Sequence, residues 1–146
     1  MKFISKAIAT IIFGIIAFLA SSPIAAALVN AEMNNYVFLA VFAVVALACF
    51  TAPTGRRAWG RGSLIAGALF LALPLTIGAL SGIAAEEIIS QAAADEQGAT
   101  AVGATIGAGL MVGAASFVGF ILGAIFIIFG LIMTLGGRRE VIIINN

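Results

Sequence analysis

Four stretches without a charged residue, 7–31, 33–55, 62–85 and 97–137, occupy 113 of the 146 positions of the chain. They run for 25, 23, 24 and 41 residues. A bilayer core of ~30 Å is crossed by about 20 helical residues, so each stretch is long enough to span. The pattern predicts helices over about 7–28, 36–52, 63–85 and 105–135, joined by an outer helical tip at 86–104 and a basic loop at 53–62, with a tail at 136–146. The expected fold is an all-α, integral membrane, four-helix protein made of two transmembrane hairpins.

Local signals set the turns. Ser21, Ser22 and Pro23 lie towards the end of the first span, where proline removes a backbone donor that a neighbouring helix must replace. Asn34 or Asn35 suits the cap of the second helix, and Tyr36 suits a membrane interface. Pro53-Thr54-Gly55 is a strong turn signal. Beyond the third span, residues 84–94 are rich in alanine and free of glycine and proline, so the helix should continue past the bilayer. The fourth stretch would reach ~60 Å as a helix, about twice the bilayer core. Together these suggest a second hairpin that extends beyond the membrane, with Ile88, Ile89 and Ala92 facing Val102 and Ile106. The alternative for 98–109 is a glycine-rich re-entrant or surface segment.

Charge supplies an orientation. Lys2 and Lys6 precede the first stretch, Arg56, Arg57 and Arg61 separate the second from the third, and Arg138 and Arg139 follow the fourth. Glu32, Glu86, Glu87, Asp95 and Glu96 fill the alternate gaps, and only Glu140 breaks the pattern. Positive residues mark cytoplasmic loops, so both ends are expected in the cytoplasm, in a membrane of the bacterial inner or plasma type. Residues 1–31 also resemble a secretory signal peptide, with Ala25-Ala26-Ala27 as a small-residue cleavage site. On that reading residues 1–27 or 1–31 are removed. The apolar run continues through Pro23 to Val29, which favours an uncleaved span.

Composition narrows the chemistry. Hydrophobic residues make up 63% and charged residues 9%, against ~45–50% and ~25% in soluble domains. Histidine is absent, which removes the commonest metal ligand and general base. Cys49 is the one cysteine and suits a small apolar role. No cofactor and no nucleic-acid partner is expected. Glu86-Glu87 and Asp95-Glu96 are adjacent pairs; carboxylates at i and i+1 diverge by ~100° on a helix and do not share an ion. No catalytic residues and no metal ligands are therefore assigned.

Two interaction features remain. Gly109, Gly113, Ser116, Gly119, Gly123 and Gly130 fall within an arc of about 120° at helical spacing, a face on which helix backbones can approach closely in lipid. The opposite face carries Phe117, Ile121, Ile125, Ile128 and Leu131. Arg56, Arg57, Trp59 and Arg61 form a basic, aromatic segment suited to anionic lipid or to an acidic partner. Each half of the chain runs from a basic start through a proline-bearing helix to Gly-Arg-Arg, a faint sign of a duplicated unit. The tail 141–146 is apolar and β-branched and too short to span.

The function this favours is a non-catalytic accessory, assembly or scaffolding subunit that packs on a larger membrane complex or on itself. The alternative is an oligomeric transporter or pore for a small or apolar solute. Coupled transporters usually keep an ionisable residue within the membrane, and the four spans hold only hydroxyl side chains as polar groups. An enzyme fits least, having only exposed acids and Cys49 to work with.

Overall fold

The computed structural model describes residues 2–28, 33–93 and 96–136. The predicted tail beyond Gly136, with Arg138 and Arg139, and the turn residues Glu32 and Asp95 lie outside them. Four helices follow in order: α1 (Lys2–Leu28), α2 (Asn34–Phe50), α3 (Gly55–Gln91) and α4 (Gln97–Leu135). The all-helical expectation holds. Three helices, α1, α3 and α4, are long and apolar enough to cross a bilayer, which marks the chain as a membrane protein. At 27, 37 and 39 residues they rise ~40, ~55 and ~58 Å. The second helix has 17 residues, or ~25 Å, less than a ~30 Å hydrocarbon core.

The short second helix has local causes. Its first turn begins at Asn34 with Met33 in the capping position and no side-chain cap, so neither asparagine plays the capping role expected of it. At the other end Thr51 folds its hydroxyl back onto the Leu47 carbonyl at 2.7 Å, and Pro53 follows. Thr54 then caps α3, accepting a bond from the Arg57 amide at 3.3 Å. The loop anticipated at 53–62 is thus largely helix. A good cap followed by Arg, Ala and Trp is helix-forming sequence once Pro53 has passed.

Packing divides by helix pair. The first two helices form an antiparallel hairpin in which the Phe42 ring lies on Gly14 and Phe18 meets Phe38 with centroids 4.3 Å apart. The buried core joins α1, α2 and the first half of α3 through Ala9, Phe13, Ala17, Val45, Cys49, Ala58 and Ala66. Phe13 sits edge-on to both Trp59 and Phe126, at 5.6 and 6.3 Å, and Phe126 lies parallel to Phe70 at 5.6 Å. This aromatic chain ties α1 to both long helices.

The α3–α4 hairpin reaches well past this core. Its helices are continuous to Gln91 and from Gln97, so residues 98–109 are helical rather than re-entrant. Ser81 is the last buried residue described on α3 and Ala115 the first on α4. Beyond them a groove of about 470 Å³ runs between the helices, lined mainly by Ala84, Ala85, Ile88, Gly103, Ala104 and Gly107. Val102 and Ile106, expected to face α3, are instead 61% and 60% exposed. The antiparallel register presents Thr100, Gly103, Ala104 and Gly107 to α3 and turns those two residues outward.

Candidate functional site

The backbones of α3 and α4 approach closely, and glycine makes it possible. A methyl group at Gly67 would stand 2.7 Å from Ile127 Cγ1 and 3.0 Å from the Gly123 carbonyl oxygen; one at Gly123 would stand 3.1 Å from the Gly67 oxygen. Gly60 and Gly130 repeat the arrangement, each placing a methyl 2.9 Å from the other's oxygen. The Cα hydrogens in those positions therefore point at carbonyls across the interface, a reciprocal weak Cα–H···O contact. Both pairs are seven residues apart along their helices, a spacing that keeps two helices in register along a shallow crossing.

Two further features reinforce this contact. Pro74 has no N–H to give the Phe70 carbonyl four residues before it. Gly119 lies against that freed oxygen, where a methyl would come within 2.6 Å; the neighbouring helix covers the carbonyl the proline orphans. Ser63, fully buried, donates its hydroxyl to the Phe126 carbonyl at 2.7 Å. Ser63→Ala is expected to lower stability by about 1 kcal/mol while keeping the fold. Unfolding of the two proteins in the same detergent checks this.

The predicted glycine face is thus split by the structure. Gly119, Gly123 and Gly130 are buried against α3, and Ser116 is half-buried. Gly109 and Gly113 are exposed, with nothing within 4 Å of an added methyl. The sequence reading missed the partners on α3, Gly60, Ser63 and Gly67. Their signal was present as a Gly-x-x-Ser-x-x-x-Gly spacing mirrored by Gly123 and Gly130.

The basic segment is distributed rather than gathered. Because α3 starts at Gly55, its first two turns send the four side chains in different directions. Arg61 reaches α2, donating to the Ala48 carbonyl at 3.3 Å and to Thr51 Oγ1 at 3.1 Å. Arg56 reaches the last turn of α4 and donates to the Ile132 carbonyl at 3.2 Å. Trp59 turns to α1, its indole N–H donating to Ser5 Oγ at 3.3 Å. Arg57 is exposed. Lys6 from α1 adds a bond to the Phe50 carbonyl at 3.2 Å.

Helix C-termini leave carbonyls unpaired and carry partial negative charge, so cations are stabilising there. Lys6 and Arg61 serve the end of α2 and Arg56 the end of α4. Arg56, Arg57, Arg61 and Lys6 collect where α2 and α4 finish, while exposed Glu86, Glu87 and Glu96 lie at the opposite end. The charge alternation along the chain becomes a separation between two ends of one bundle. Compared with known proteins, the chain matches no family model, no curated protein and no solved structure.

Proposed function

We propose that this is a multi-pass protein of bacterial inner-membrane type whose two hairpins cross the bilayer with the basic end in the cytoplasm. Its role on this reading is that of a non-catalytic accessory, assembly or scaffolding subunit within a larger membrane complex. The observation that carries the role is the unequal use of α4. Its second half is locked to α3 through glycine, whereas Gly109 and Gly113 form an open lane beside exposed Val102, Ile106 and Phe120. A lane of small residues on an apolar helix is what another membrane helix packs against.

The short second helix fits the same reading. Lys6 and Arg61 at one end and exposed Tyr36 at the other are residues that reach the interface from a short span. A pore would need a different path. The centre of the basic half is filled by Phe13, Trp59 and Phe126, so a conducting route would have to run between copies.

Native mass spectrometry of the chain, tagged at its carboxy terminus and extracted gently from its own membrane, tests the role. A stoichiometric larger partner is the expected result. A defined homo-oligomer without a partner would move the assignment to a pore or transporter, and a lone monomer would overturn both.

A further inference from the structure

A recess of about 400 Å³ opens at the basic end, lined by Ser5, Arg56, Trp59, Ile132 and Met133. It lies where the start of α1, the first turns of α3 and the last turn of α4 meet. Its volume falls within the ~300–1,000 Å³ of ordinary ligand clefts. Trp59, Ile132 and Met133 supply apolar wall, and among the described lining residues a single guanidinium, Arg56, supplies the charge. Arg56 spends one donor on the Ile132 carbonyl, and a planar guanidinium carries others suited to a phosphate. Arg57 is the next residue and points ~100° away around the helix. Arg61 is committed to the end of α2.

We propose that this recess seats one anionic phospholipid of the cytoplasmic leaflet, its phosphate on Arg56 and the start of one acyl chain across Trp59, Ile132 and Met133. Charge complementarity selects the occupant: a cation beside apolar wall, at the level where headgroups meet the hydrocarbon. The inference rests on the proposed topology, which places this end of the bundle in the anionic leaflet. It narrows the basic segment from four candidate contacts to one headgroup ligand, Arg56, and one chain contact, Trp59.

Trp59 is the one tryptophan of the chain and reports on its own recess. The full chain is reconstituted in phosphatidylcholine vesicles containing an equal small fraction of either brominated phosphatidylglycerol or brominated phosphatidylcholine, and quenching of Trp59 fluorescence is compared. The anionic lipid is expected to quench with about a five-fold preference, the contribution of one cation near the surface. Arg56→Gln should remove the preference, while Arg56→Lys and Arg57→Gln should keep it. Equal quenching of the unaltered chain by the two lipids overturns the inference without any variant, and an acidic protein segment becomes the better partner for Arg56. A preference that survives Arg56→Gln and disappears in Arg57→Gln also overturns it. A chain that fails to co-float with vesicles refutes the membrane topology instead, so the two failures are distinguishable.

Discussion

Leucine at Gly67 or Gly123 is expected to break the α3–α4 hairpin and with it most of the fold's stability. Even a methyl group at Gly67 would meet Ile127 and the Gly123 carbonyl at 2.7 and 3.0 Å. Two of its three nearest neighbours are backbone atoms, which cannot turn aside as a side chain can. Overpacking by a few methylenes costs about 1–3 kcal/mol and occasionally more; leucine here also removes the reciprocal Cα–H···O contacts and spreads Gly60 from Gly130. Alanine should show the same effect at reduced size. Because Gly67 and Gly123 face each other, the double leucine variant should cost less than the two single variants together, since the first substitution has already parted the helices. Thermal loss of the monodisperse peak in detergent reads all of these. Full retention of stability in either single leucine variant would show that α3 and α4 do not pack in this register.

Leucine at Gly109 and Gly113 together should do the reverse. Neither position has a neighbour within 4 Å of an added methyl, so the isolated chain has room for both side chains. Glycine is the poorer helix former by ~1 kcal/mol per position, and the double variant should be as stable as the original or slightly more so. What it should lose is assembly, because the lane on which a second helix would rest is filled. The expected result is an intact monomer that no longer co-purifies with the native complex. Unchanged assembly would remove the face from the proposed interface. The two pairs of variants thus separate glycine that holds the fold from glycine left for a partner, although all four residues share one helix or its direct contact.

The division between what could and could not be read in advance follows from the kind of signal each feature leaves. Helix number and the long apolar lengths of α1, α3 and α4 follow from uninterrupted uncharged runs, and the separation of Arg56 and Arg61 from Glu86 and Glu96 from where charge interrupts them. The glycine arc on α4 was visible as a periodicity. Its division at Ser116 was not, because the arc is one continuous face on a helical wheel and only α3 decides which part is covered. Gly60 and Gly67 escaped because they straddle the boundary of an expected loop and an expected span. That loop itself arose from reading Pro53-Thr54-Gly55 as the start of irregular chain, whereas Thr54 closes the turn within four residues of Phe50. Arg56 and Arg61 looked like an exposed basic patch because sequence shows charge and not the helix ends it caps.

Cysteine accessibility at the two ends of the α3–α4 hairpin tests most directly whether this bundle crosses a membrane with its basic end inside. In a Cys49→Ala background, Arg57→Cys and Gln97→Cys place single thiols at exposed positions on opposite ends of the α3–α4 hairpin. With a membrane-impermeant maleimide added to intact cells, the thiol at position 97 should label at once and that at position 57 only after the membrane is opened. Labelling at 57 alone would invert the topology, and labelling of both from outside, or of neither, would contradict a hairpin that spans the bilayer.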